Sequence, residues 1–156
     1  MKQKLLFIGL LLFFAFGCSK EDDIIPSNQL LGKYEFIMEN VGNNYELDFV
    51  NTLEFKIDGS VYGEGFTIKS GTDQVLGYRF YFNGKYEIEE GNVIISEKEV
   101  FQNMYTDIFY APKNEFIYLE EGMGSENYLI KSEFKELHSI CPPYADCLQV
   151  IYKKTS

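Results

Sequence analysis

Residues 78–95 read Tyr-Arg-Phe-Tyr-Phe-Asn-Gly-Lys-Tyr-Glu-Ile-Glu-Glu-Gly-Asn-Val-Ile-Ile, and their rhythm decides the fold class. Tyr78, Phe80 and Phe82 fall on one parity and Arg79 and Tyr81 on the other, the period of two that sets one face of a strand against a core. Asn83-Gly84 follows, a dipeptide that accepts positive φ at both positions and therefore favours a tight hairpin turn. Lys85 to Ile88 is expected to return as the partner strand. Glu90-Gly91-Asn92 is expected to turn again into a third strand at Val93-Ile94-Ile95.

The same pattern extends outward. Upstream, Leu53, Phe55 and Ile57 alternate with Thr52, Glu54 and Lys56, and Asp58-Gly59-Ser60 supplies a turn into Val61-Tyr62. Earlier still, Tyr34, Phe36 and Met38 alternate with Glu35 and Glu39. Downstream, Tyr105–Tyr110, Phe116–Leu119, Tyr128–Lys131 and Leu148–Tyr152 read as strands, with EEGMGSEN (residues 120–127) separating two of them. Ser132–Leu137 fits either a helical turn or two, or a continued strand. No other apolar run has clean helical spacing, and no repeat of fixed period occurs. About eight short strands joined by turns predict an all-β chain: one antiparallel barrel or sandwich-like meander over residues 30–156.

Three segments carry a resemblance. Leu31-Gly32-Lys33-Tyr34 opens the first strand, and LEFKIDGSVYG (53–63) and NGKYEIEEGNVIIS (83–96) continue as hairpins. Together they resemble the lipocalin-like domains of small bacterial lipoproteins, and the META domain of bacterial stress lipoproteins has similar hairpins. Tyr34 stands where the usual lipocalin opening has Trp, and this chain has no Trp. The likeness implies a β-meander that closes around a ligand.

The N-terminus has a separate logic. Lys2 and Lys4 precede an apolar run, Leu5 to Phe16, that is shorter than the roughly 20 residues a bilayer-spanning helix needs. It has the form of the apolar region of a secretory signal, residues 1–17. Ala15-Phe16-Gly17-Cys18 resembles a bacterial lipobox. That resemblance implies cleavage before Cys18, a diacylglycerol thioether on its sulfur and an acyl group on its new amine. Each buried CH₂ contributes about 0.8 kcal/mol, so several chains on one residue anchor durably. Residues 18–29 then form an acidic linker. Its start, Ser19-Lys20-Glu21-Asp22-Asp23, resembles the export tag that sends lipoproteins to the cell surface in one group of Gram-negative bacteria. The expected location is the outer membrane, on the surface, with the periplasmic face as the alternative.

Composition narrows the functions further. There are 24 Asp and Glu against 14 Lys and Arg, a formal net charge of −10 at pH 7. Nucleic acid, bound through cationic contacts to phosphate, is excluded as a partner. Cys141 and Cys147, in CPPYADC, are close enough to pair as a disulfide in an oxidising compartment. A zinc site there has only His138 and Asp146 as further ligands. Asp58-Gly59-Ser60 lacks the alternating oxygen ligands of a calcium loop. Gly63-Glu64-Gly65 and Gly122-Met123-Gly124 read as turn glycines, without the strand-to-helix setting of a phosphate loop.

Catalytic groups are sparse. His138 is the one histidine and has no matched nucleophile in sequence. The acidic pairs Glu89-Glu90, Glu97 with Glu99, and Glu120-Glu121 sit beside turns or on polar strand faces. Aromatic residues are abundant: 14 Phe and 12 Tyr. Core packing accounts for most of them, but a tyrosine ring can line a cavity while its hydroxyl meets a ligand. Tyr78, Phe80, Tyr86, Tyr118 and Tyr128 are the candidates for a pocket wall. The expected function is binding without catalysis or cofactor, of a small apolar or amphipathic molecule. The alternative is a partner-binding or structural part of an envelope complex.

Overall fold

In the computed structural model, which describes residues 27–42, 44–104, 109–119, 124–141, 145 and 147–156, the decisive stretch is one long strand. The strands are β1 (Gly32–Val41), β2 (Leu47–Phe55), β3 (Ser60–Lys69), β4 (Val75–Glu89) and β5 (Asn92–Gln102), then β6 (Ile117–Tyr118), β7 (Glu126–Lys131), β8 (Glu136–Ser139) and β9 (Ile151–Lys154). Each pairs antiparallel with its neighbours in the order β1-β2-β3-β4-β5-β7-β8-β9, and β9 pairs back onto β1 through Tyr34↔Lys154 and Glu35↔Lys153. Eight strands thus close a barrel, and the short β6 pairs with the far end of β5, beyond the stretch that β7 occupies. Closure leaves no free sheet edge in the ring, which decides between barrel and open meander.

The two ends of the barrel differ. At one end the connections are tight. Glu90 and Gly91 join β4 to β5 with φ of 48° and 79°, the two left-handed positions of a type I′ turn. Asp58 accepts hydrogen bonds from the Ser60 amide (3.0 Å) and hydroxyl (2.6 Å) in the β2–β3 turn. Residues 132–135 join β7 to β8 through three successive left-handed residues, Ser132, Glu133 and Phe134. The segment whose period was ambiguous is therefore a turn running into β8, and it swings Phe134 against the core. The chain enters at this end through a 3-10 turn, Ser27–Gln29, and Leu30, which is fully buried. The chain also finishes here, the Lys33 amide donating to the Ser156 carbonyl at 3.0 Å.

Leu30, Tyr34, Phe55, Val61, Val93 and Leu137 fill this closed end at 2% exposure or less. Phe55 packs edge-on against both Tyr34 (5.6 Å) and Tyr86 (5.0 Å). Burying each such side chain contributes about 1.5–3 kcal/mol, so this end carries a large share of the apolar stabilisation. At the opposite end the connections are long: 42–46, 70–74, 103–125 and 140–150. The last contains the Cys141–Cys147 disulfide, with Cα atoms 6.1 Å apart.

Four local expectations are corrected. Asn83-Gly84 does not turn, because both residues are paired within β4: Asn83 with Tyr62 on one side and Glu99 on the other, Gly84 with Val61. A Cβ on Gly84 would lie 3.0 Å from the Ser96 carbonyl oxygen, so glycine serves close strand approach here rather than reversal. Gly63 and Gly65 are likewise inside β3, under the rings of Phe82 and Phe80. Ile57 lies in the turn after β2 and is 82% exposed. Arg79 shares its face with Phe80 instead of Tyr81, because the ladder with β3 slips by one residue between Gly65 and Phe66. In such a bulge two consecutive residues oppose one, and strict alternation is lost.

Candidate functional site

Inward positions change character halfway up the barrel. Below are rings and aliphatic chains; above is a hollow of about 210 Å³ inside the barrel wall. Leu53, Phe80, Phe82 and Val150 give it apolar surface, while Asn51, Glu126, Tyr128, Ser139 and Tyr152 give it polar groups. They converge because alternate residues of β2, β4, β7 and β9 share the inner face, as in Val93↔Tyr128 and Leu137↔Tyr152.

Two bulges bring charge to this level. On β5, Glu97 (φ 48°) is the extra residue opposite Gly84, and beyond it Lys98 and Val100 face inward. The Lys98 side chain is 1% exposed, its Nζ 2.7 Å from Glu126 Oε1. The other carboxylate oxygen of Glu126 accepts from the Tyr128 hydroxyl at 2.6 Å. The ring of Tyr128 meets Tyr152 edge-on at 5.6 Å, and the Tyr152 hydroxyl interacts with Tyr128 and Asn51. Asn51 Oδ1 in turn accepts from Arg79 Nη2, which also reaches the Val50 carbonyl at 3.3 Å. The guanidinium lies over the Phe49 ring, 4.3 Å from its centroid. Two polar groups, Arg79–Asn51 and Tyr128–Glu126–Lys98, thus lie in the interior with Tyr152 beside them.

Its electrostatics follow from burial. Burial pushes the Tyr152 phenol up to about 12 and Tyr128 well above the ordinary phenol range, so both are neutral donors at physiological pH. Burial lowers Arg79 to about 10, which leaves it cationic at neutral pH. Glu126 cancels the charge of Lys98. Arg79 has no ion-pair partner among the described residues, and its buried Nε has no hydrogen-bond partner. Arg79 is therefore a cation without a counter-charge among the described residues, held behind the cavity wall through its bond to Asn51.

The five aromatic candidates separate. Phe80 and Tyr128 line the hollow. Tyr86 packs at the closed end, its hydroxyl donating to the Lys56 carbonyl at 2.8 Å. Tyr78 and Tyr118 are outside the barrel. Tyr78 faces Phe66 and lies under Lys113, whose Nζ is 4.2 Å from the ring centroid; Tyr118 is 49% exposed on β6. Asn51, Arg79, Lys98, Glu126 and Tyr152 were not singled out in sequence. Arg79 embedded in Tyr-Arg-Phe-Tyr-Phe was the available signal, a cation within a run of rings.

The outer wall has its own cluster. Tyr81 stacks on Phe101 (4.8 Å, 11°) and Phe116 (5.9 Å, 22°), and Phe101 meets Tyr118 at 5.4 Å. Lys113 bonds Glu64 at 2.7 Å and the Tyr62 hydroxyl at 2.9 Å. Burial acts to lower the Lys113 ammonium, but these bonds outweigh it and hold it above its ordinary range.

His138, on β8, is paired with Glu136 at 2.9 Å. That bond, with a second from Ser132, holds the Glu136 carboxyl below its usual range. Glu90, Glu97 and Glu99 are exposed, and Glu120-Glu121 and Gly122-Met123 lie outside the described residues, as do the signal segment and Cys18. Among the described residues no group of three or more His, Cys, Asp or Glu converges as a metal site. A hollow of about 560 Å³ among Gln29, Glu133, Phe134, Lys135 and Lys154 is a shallow dish outside the closed end. No protein-family model and no curated protein matches the chain.

Proposed function

We propose that this protein is a lipid-anchored, surface-exposed lipoprotein of the outer membrane whose lipocalin-like barrel binds a small amphipathic molecule without catalysis. The observation that carries the binding reading is the hollow of about 210 Å³ within the barrel, lined by both apolar and polar side chains. The anchor reading rests on the lipobox-like Ala15-Phe16-Gly17-Cys18 and on the acidic residues after it. Diacylglycerol and an N-acyl chain on Cys18 are the attached lipids, and the domain itself uses no cofactor.

Two experiments test the two halves. Cys18→Ser should abolish incorporation of labelled fatty acid, and normal labelling of that variant contradicts the anchor. A native mass spectrum of protein purified from its own envelope should show a discrete extra mass that denaturation removes. A bare mass contradicts the carrier reading.

One observation favours a second reading, a partner-binding component of an envelope complex. The Tyr81–Phe101–Phe116–Tyr118 cluster continues into the exposed Ile117, 45% accessible. Aromatic residues outside a filled barrel wall are the usual anchors of protein interfaces. Under this reading an envelope protein co-purifies with the wild type and is lost with Tyr118→Ala.

A further inference from the structure

Two residues that line the hollow, Ser139 and Val150, are bonded to each other across the β8–β9 hairpin. The Ser139 amide donates to the Val150 carbonyl at 2.8 Å, and the Val150 amide donates to the Ser139 hydroxyl oxygen at 2.9 Å. Towards the closed end the hairpin is held by Glu136↔Lys153, Leu137↔Tyr152 and His138↔Ile151, with Leu137 fully buried. Towards the open end the next link between its two arms, among the described residues, is the Cys141–Cys147 disulfide. Cys141 follows Ser139 by two residues, and Cys147 precedes Val150 by three. The first arm also touches β7, where the Ile140 amide donates to the Asn127 carbonyl at 3.3 Å, between the lining residues Glu126 and Tyr128. Both cysteines are exposed. A disulfide in a core is shielded from attack, whereas an exposed one meets thiols from solvent and is the labile kind. The covalent clamp on this part of the cavity wall is therefore open to chemistry from outside.

We propose that the Cys141–Cys147 disulfide is a redox-sensitive clasp on the hollow. Oxidised, it holds Ser139 and Val150 in the cavity wall; reduced by a dithiol, it lets them loosen and the ligand leave. This inference rests on the ligand-binding reading. In the reaction one thiolate of the dithiol attacks a cystine sulfur, forms a mixed disulfide and expels the other cysteine as a thiolate. The second sulfur of the dithiol then displaces the first, leaving two cysteine thiols and the reductant as a cyclic disulfide. Two electrons and two protons pass from the reductant to the protein. Cys18, the remaining cysteine, takes no part, because its sulfur is a thioether under the anchor reading. The closed end keeps its own core of Leu30, Tyr34, Phe55 and Leu137 when the clasp opens. What opens is the outer part of one hairpin, a local event that leaves the rest of the barrel folded. A ligand that binds the loosened wall has to order these residues again, which weakens it by about tenfold.

The test uses the whole protein in phospholipid nanodiscs, with empty nanodiscs subtracted, and isothermal titration of hexanoate as a small amphipathic probe. Oxidised protein should bind hexanoate about tenfold tighter than protein reduced with dithiothreitol under nitrogen, and reoxidation should restore the tighter binding. A Cys141→Ser, Cys147→Ser double variant should bind like the reduced protein and no longer respond to dithiothreitol. In the same samples, hydrogen exchange at the Ser139 and Val150 amides should quicken by about tenfold on reduction, while the Leu53 amide stays protected. Equal or tighter binding by the reduced protein overturns the inference and leaves the carrier reading standing. A response to dithiothreitol that persists in the folded double variant also overturns it, and so does unchanged exchange at Ser139 and Val150. Binding of hexanoate by neither redox state overturns the inference and the carrier reading together.

Discussion

Tyr34 shows how single side chains close one end of this barrel. Its ring is fully buried against Phe55, and its hydroxyl donates to the Phe134 carbonyl at 2.7 Å, tying β1 to a turn 100 residues away. Burial pushes Tyr34 and Tyr152 up to about 12, and Tyr128 higher. An unfolded tyrosine titrates near 10. Folding therefore favours the neutral phenols, and their contribution is fully present below about pH 10 and is lost as pH rises through about 12. Arg79, lowered by burial to about 10, works in the opposite sense over that window, but it is one group against three. Alkaline titration should show these tyrosines ionising together with loss of the circular-dichroism signal, not before it. Gly63 is a second test at this scale. A Cβ there would fall 2.1 Å from the buried Phe82 ring, so Gly63→Ala should lower stability by about 1–3 kcal/mol in a denaturant titration.

Among the elements, the connection from β8 to β9 is the one fastened covalently. The Cys141–Cys147 bond closes a loop with a sequence separation of 6, for which loss of unfolded-chain freedom is worth about 2 kcal/mol. A Cys141→Ser, Cys147→Ser double variant should lose about that much, seen as a lower denaturation midpoint that added reductant no longer changes. This disulfide was legible from the close spacing of the two cysteines together with an oxidising compartment. So were β1, β2, β5 and the Glu90-Gly91 turn, because alternating side chains and φ-permissive residues act locally. The Asn83-Gly84 turn was misread because a glycine suits two demands, reversal and close approach, and only the tertiary ladder decides between them. The cavity was least legible. Arg79 and Lys98 reach the interior through one-residue slips at Gly65/Phe66 and beside Gly84. A slip of one residue reverses which face a side chain takes, so the alternation that identifies a strand misplaces the residues beyond its bulge.

Across the whole molecule, the packed end and the hollow end have different neighbours. The chain enters beside Leu30 at the packed end, and the connections β1–β2, β3–β4, β5–β7 and β8–β9 leave their strands at the other. With Cys18 as anchor, residues 18–29 tether the packed end, and fully extended they reach about 40 Å from the lipid. Replacing Glu21, Asp22 and Asp23 by alanine should keep lipidation but withdraw the domain from external protease in intact cells. Undiminished cleavage in that variant contradicts the export role of the acidic residues. The central claim concerns the hollow itself, and intermolecular NOEs between carbon-13-labelled hexanoate and the protein test it most directly. Binding inside the barrel predicts NOEs to the methyl groups of Leu53 and Val150, which line the cavity. NOEs confined to Ile117 and Tyr118 on the outer wall, or none at all, contradict it.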